Sequence, residues 1–180
     1  ADIHKKTVSL DISVAKAKGG EKVKVELLDE GKVVGTTEQK LASKIEMEVP
    51  EAVLWSPSSP KLYHLNIELL SQGQVIDQVK SYFAMREVSI RKDECICLNG
   101  DPIFQYGTLD QGWWPDGLLT PPSEEAMLWD MVQLKNMGFN TIRKHIKVEP
   151  EQYYYYADSL GLMMWQDMVS GFSTERKDEE

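Results

Sequence analysis

The sequence predicts a multi-domain chain, β followed by α/β, and three observations predict it. Apolar and polar residues alternate strictly in short runs through the first half. The second half changes to short apolar runs separated by helix-like spacing. The charge is split at the same place. Residues 1–86 carry 12 Lys+Arg and 12 Asp+Glu, whereas residues 87–180 carry 8 and 17. The whole net charge of −9 therefore belongs to the second part. The expected domains are 1–86 and 87–180.

The first part reads as an immunoglobulin-like β-sandwich. Val8, Leu10, Ile12 and Val14 alternate with polar residues, and Lys18-Gly19-Gly20-Glu21 turns the chain. Val23, Val25 and Leu27 alternate next. Asp29-Glu30-Gly31-Lys32 then predicts a tight hairpin into Val33 and Val34. Ile45, Met47 and Val49 form another run. Leu62–Leu69 predicts a long strand, turned by Ser71-Gln72-Gly73-Gln74 into Val75–Met85. About seven short strands in some 85 residues is the sandwich pattern. The prolines of Trp55-Ser56-Pro57-Ser58-Ser59-Pro60 forbid ladder pairing, so this segment crosses between strands and Trp55 plugs the core. His64 reads as a strand residue.

The second part reads as β-loop-α-β-α-β. Ile90–Phe104 is extended, with a turn at Leu98-Asn99-Gly100-Asp101-Pro102. Phe104–Leu109 predicts a buried strand, and Asp110–Pro122 a polar loop. Ser123 caps a helix with Glu124 and Glu125 in its first turn. Leu128, Met131, Val132 and Lys135 trace its inner face, and Gly138 ends it. Phe139–Arg143 is the next strand. Pro150 opens a second helix, Gly161 ends it, and Leu162–Trp165 is a third strand. Apolar strands alternating with helices indicate a parallel sheet. The pattern is that of a partial (β/α)8 barrel, the first three βα units at most. A complete barrel needs roughly 250 residues, more than the whole chain of 180.

Composition excludes several functions. An acidic chain without a basic run is a poor partner for nucleic acid. No apolar run approaches the ~20 residues of a membrane-spanning helix. Cys95 and Cys97 share one strand face, a poor disulfide geometry and an insufficient metal set, and they read as buried thiols. No metal or cofactor is expected. The chain opens with Ala1 and shows no signal peptide, as a mature chain or a piece of a longer one would.

Function in such a sheet gathers at the C-terminal ends of the strands. After the first strand come Asp110, Gln111, Trp113, Trp114 and Asp116. After the second come Arg143, Lys144 and His145, and after the third Gln166 and Asp167. Carboxylates bind sugar hydroxyls and aromatic faces hold pyranose rings, so this rim suits a carbohydrate. The candidate binding residues are Asp110, Trp113, Trp114, Asp116, Arg143, His145, Trp165 and Asp167. The alternative is structural: Asp110 and Asp116 cap turns and Arg143 pairs with Asp167. Tyr153-Tyr154-Tyr155-Tyr156 points around a helix and reads as packing surface.

The motifs resemble glycoside hydrolase family 2, the family of β-galactosidases, β-glucuronidases and β-mannosidases. Leu54-Trp55-Ser56-Pro57 with Pro60-Lys61-Leu62-Tyr63 is similar to its Trp-Ser-Pro…Leu-Tyr signature. Phe83-Ala84-Met85-Arg86 resembles the exit from its sandwich, and Leu98–Pro102 the hairpin before its barrel. Gly138-Phe139-Asn140-Thr141-Ile142-Arg143 resembles the Gly-x-Asn-x-x-Arg of its second barrel strand. Asp158-Ser159-Leu160-Gly161-Leu162 resembles the approach to the third. Arg143 and His145 carry over to substrate-side positions. Two features depart from the common pattern. Lys144-His145-Ile146-Lys147 stands where many relatives have Ser-His-Tyr-Pro, and Trp165-Gln166-Asp167 is closer to the mannosidase-like branch. The loop Asp110–Gly117 resembles a bacterial subgroup.

The resemblance implies a retaining exo-glycosidase of carbohydrate catabolism, exported by family habit. It also implies an acid/base Glu in an Asn-Glu pair after the fourth strand, and a nucleophile Glu near the seventh. This sequence has no Asn-Glu pair. No catalytic residue is therefore expected in the chain, and the chain alone is expected to be inactive. The other expectations are a non-catalytic carbohydrate-binding module, or self-association through the incomplete barrel.

Overall fold

The computed structural model describes residues 1–169. The chain forms two compact units, Ala1–Phe104 and Gln105–Glu180.

The first unit holds nine strands in three antiparallel sheets. One sheet has the order β3-β2-β5-β6, from β2 (Lys22–Asp29), β3 (Lys32–Lys40), β5 (Tyr63–Ser71) and β6 (Gln74–Phe83). A second pairs β1 (Thr7–Asp11) with β4 (Lys44–Glu48). Side chains from both close one core, with Val8 and Leu10 from β1, Val25 and Leu27 from β2, and Ile45 and Met47 from β4. The alternation in the sequence is thus the alternation of buried and outward positions. Six strands stand before residue 86, against the seven expected; Ile12 and Val14 fall outside β1. β6 is an edge strand exposed along most of its length.

Trp55 fills the core as expected and is fully buried. Its amide donates to the Met85 carbonyl at 2.9 Å, and the Arg86 guanidinium lies 4.5 Å from its ring centre. The third sheet, β7 (Val88–Ile90), β8 (Ile96–Leu98) and β9 (Asp101–Pro102), is tied to the same residue. Asn99 Nδ2 donates to the Trp55 carbonyl at 2.9 Å. This third sheet belongs to the first compact unit, which runs to Phe104. Cys97 is buried and burial pushes its thiol up, whereas Cys95 is only half-buried; both are free.

The described residues of the second unit form a three-stranded parallel sheet with two helices. β10 (Gly107–Asp110), β11 (Thr141–Lys144) and β12 (Met163–Gln166) lie in the order β10-β11-β12. α1 (Glu124–Asn136) and α2 (Glu151–Leu160) connect them. Ser123 caps α1, its hydroxyl accepting from the Ala126 amide at 3.1 Å. The inner face of α1 is centred on Met127 and Met131, with Leu134 packed beside them. Met131 lies on the expected stripe of Leu128, Met131, Val132 and Lys135, whose other members are half-buried, and Met127 and Leu134 join it. Pro150 is the cap residue of α2 rather than its first helical residue, and Gly161 closes it in the left-handed region at φ 76°. Lys135 Nζ donates to the Gly161 carbonyl at 2.8 Å, tying the end of α1 to the end of α2.

The first parallel strand is shorter than expected, and Phe104 is 82% exposed instead of buried. Gly107 is required here by close approach. A Cβ at this position would lie 2.8 Å from the Thr141 carbonyl oxygen of the neighbouring strand.

Candidate functional site at the strand ends

Strand alternation divides the predicted rim into two faces. The register pairs Leu109 with Arg143 and Arg143 with Trp165, so these three stand abreast. It also pairs Asp110 with Lys144 and Lys144 with Gln166 on the opposite face. The helices cover the second face, burying Ile142, Tyr153 and Ala157 between them and the sheet. Leu109 and Trp165 are about half exposed, at 51% and 49%, and Arg143 is exposed.

On the open face, Arg143 makes a bidentate pair with Asp167. Its Nε donates to Oδ1 at 3.2 Å and its Nη2 to Oδ2 at 3.0 Å. This is the pairing the structural alternative proposed. The hydrogen bond from Arg143 holds the Asp167 carboxyl below the usual range, and Asp167 in turn raises the guanidinium. His145 follows the strand, half-buried, with Nδ1 3.5 Å from Gln111 Nε2. Its amide donates to the Asp110 carbonyl at 2.9 Å.

On the helix face, Lys144 is buried at 1% exposure. Its ammonium contacts Asp110 Oδ2 at 2.5 Å and Glu149 Oε1 at 2.8 Å, and lies 4.3 Å from the Tyr153 ring centre. The Tyr153 hydroxyl donates to the same Asp110 oxygen at 2.8 Å. The other oxygen, Oδ1, accepts from the Gly112 amide at 2.7 Å. Burial pushes the Asp110 carboxyl up, but Lys144, Tyr153 and Gly112 together pull it below the usual range. Burial, reinforced by the Asp110 charge, pushes the Tyr153 phenol well up. The charge is compensated twice over, which is the condition for burying a lysine.

Asp110 is thus part of a buried network, and its turn-capping role is the structural alternative realised. Lys147 extends the network. Its Nζ lies 2.8 Å from Glu149 Oε1 and donates to the carbonyls of Gly112 at 3.1 Å and Leu119 at 2.6 Å. Gly112 adopts φ +67°, and a Cβ there would lie 2.7 Å from Lys147 Nζ. The loop of residues 111–122 is therefore pinned at both ends. Between the pins, the Trp114 and Leu118 backbones pair, at 2.7 Å and 3.0 Å. Trp113 is 62% exposed, Trp114 half-buried and Asp116 exposed. A small cavity of about 40 Å³ beneath the loop is lined by Asp110, Trp113, Trp114, Asp130 and Lys144, among others. Burial and the Asp110 charge raise the Asp130 carboxyl there.

Of the eight candidates, Arg143, Trp165 and Asp167 belong together on the open face. Trp113, Trp114 and Asp116 lie on the loop, His145 borders Gln111, and Asp110 turns away into the network. Lys144, Glu149 and Tyr153 were not among the candidates. The i, i+1 relation of Arg143 to Lys144 was the available signal, because adjacent strand residues point to opposite faces. Among the described residues no cluster of three or more His, Cys, Asp or Glu could hold a metal.

Residues 1–86 match the family model for glycosyl hydrolases family 2. A Formosa agariphila protein named for beta-glucuronidase activity is 34% identical over 170 residues, covering 92% of this chain and 16% of that protein. A beta-glycosidase from Bacteroides vulgatus shares the fold at TM-score 0.87 and 22% identity, over 97% of this chain and 23% of its own. Bacteroides uniformis beta-glucuronidase 3 is 28% identical at TM-score 0.74, over 93% of this chain and 21% of its own. A β-rich unit followed by a parallel α/β sheet is the fold this chain shares with these structures. The chain belongs to glycosyl hydrolases family 2, as the family model carries through residue 86 and the relatives through most of the rest. It spans between about a sixth and a quarter of the length of these three relatives.

Proposed function

We propose that this chain is the sandwich and the first part of the (β/α)8 barrel of a retaining exo-glycosidase that cleaves β-glycosides. Residues 87–180 begin the barrel in this reading. The observation that carries it is the open face: Arg143 bound to Asp167, with Trp165 abreast of Arg143 on the neighbouring strand. A sugar ring laid on Trp165 would meet donors from Arg143 and acceptors from Asp167, the combination that orients hydroxyl groups. The buried network behind the sheet keeps that face rigid. Retaining hydrolysis also needs two carboxyl groups about 5–5.5 Å apart, and no residue of this chain takes either role in this reading. The binding energy of the rim would orient the substrate for carboxylates supplied by other parts of the enzyme.

A panel of aryl β-glucuronides, β-galactosides and β-mannosides tests this reading. The chain alone is expected to release no aryl alcohol, whereas a longer family 2 enzyme carrying it is expected to turn over at least one. Turnover by the chain alone would contradict the assignment of the catalytic carboxylates elsewhere. Calorimetric titration with the sugars, using Trp114→Ala as control, tests the second reading, a carbohydrate-binding module. That reading is favoured only by the exposure of Trp113. Among the described residues β10 and β12 each pair on one side only, so self-association through these edges is also expected. A strictly monomeric chain at high concentration would contradict it.

A further inference from the structure

We propose that Lys144 is a positioning residue, which from behind the sheet sets the loop that presents Gln111 and Trp113 to the substrate. The proposal rests on the glycosidase reading for its substrate, and on geometry for the loop.

The geometry forms one continuous path. Lys144 Nζ holds Asp110 Oδ2 at 2.5 Å, and Asp110 Oδ1 receives the Gly112 amide at 2.7 Å. Residue 111 is therefore bracketed between a fixed carboxylate and a fixed amide. Its side chain is exposed, and its Nε2 lies 3.5 Å from His145 Nδ1. His145 is bound through its own amide to the Asp110 carbonyl at 2.9 Å. One carboxylate residue thus sets both partners of the Gln111–His145 pair. The Gly112 and Leu119 carbonyls are in turn held by Lys147, which shares Glu149 with Lys144. The loop is preorganised before any sugar arrives, which lowers the ordering cost of binding.

A merely structural lysine would lock the helices to the sheet and leave the loop to other contacts. The atoms decide against that. Both carboxylates that contact this ammonium lead into residues 110–119, Asp110 directly and Glu149 through Lys147. The ligand served is the sugar ring of a β-glycoside, as in the reading above.

Hydrogen exchange of the Gly112 amide, read by NMR in this chain, tests the path. Lys144→Met is expected to speed that exchange at least tenfold, with the amides of β2 unchanged, and Lys144→Arg is expected to restore most of the protection. Should Lys144→Met unfold the second unit, Asp110→Asn decides instead, since it keeps an acceptor and removes the charge pair. It is expected to speed Gly112 exchange as well. Unchanged exchange in the folded variants would overturn the proposal. In a longer family 2 enzyme carrying this chain, Lys144→Arg is expected to retain KM, and the folded variant lacking the pair to raise KM several-fold with kcat less affected. An unchanged KM in that folded variant would also overturn it. An enzyme that turns over no glycoside would sink the functional reading instead, and the Gly112 exchange then decides the positioning role alone.

Discussion

Arg143 and Lys144 are adjacent cations on one strand, and they live in opposite worlds. Arg143 is exposed and shares a carboxylate with solvent; Lys144 is buried at 1% exposure among two carboxylates and a phenol. Strand geometry alone separates them, because successive side chains point to opposite faces. The comparison teaches that a cluster of polar residues at strand ends holds two kinds of site. One is a surface that can meet a ligand, and the other is the frame that holds that surface in place. The same division separates Asp167, which stays on the open face, from Asp110, which turns away from it.

Removing the frame should have the largest effect. Lys144→Met leaves Asp110 and Glu149 without their shared cation, and breaking a buried pair by one partner costs about 3–5 kcal/mol. Denaturant unfolding followed by the near-ultraviolet signal of Trp113, Trp114, Trp129 and Trp165, all in the second unit, measures it. A midpoint equal to that of the unsubstituted chain would erase the contrast with Arg143. Gly107→Ala comes next. Its new Cβ would meet the Thr141 carbonyl at 2.8 Å, so the strands must shift, at a cost of about 1–3 kcal/mol. The same tryptophan signal reports it.

Acid should act on the frame more gently. The Asp110 carboxyl is held below its ordinary value in the folded chain, so its contribution is fully present above the unfolded value of about 3.9. It is lost as pH falls below that value through the folded one. The second unit is therefore expected to lose stability below about pH 4, and Asp110→Asn to flatten that part of the profile. Denaturant midpoints measured across pH 5 to pH 2 check the sign. A profile that is equally steep in both chains would contradict the assignment.

Much of this was legible in the sequence. The alternating runs around Val23 and Leu65, the Ser123 cap, the Gly161 stop and the three parallel strands follow from short-range chemistry. The motifs around Trp55 and Asn140 pointed to the family that the comparisons show. The exposure of Phe104 and Leu109 was not legible, because it depends on what covers a sheet face. The role of Lys144 was missed for a related reason. A lysine in a strand reads as solvent-facing, and its partners Asp110 and Glu149 come from 34 and 5 residues away. Tyr153 was hidden in a run of four tyrosines of which it is the buried one. The tie between Asn99 and Trp55, 44 residues apart, was likewise beyond short-range pattern.

The contrast itself is tested most directly by Arg143→Ala in a family 2 enzyme carrying this chain. The measurement is kcat/KM on the best aryl β-glycoside, at a temperature well below unfolding. A loss of at least tenfold is expected, with the unfolding midpoint of the tryptophan signal unchanged. Full activity, or a fall in the midpoint as large as that of Lys144→Met, would contradict it.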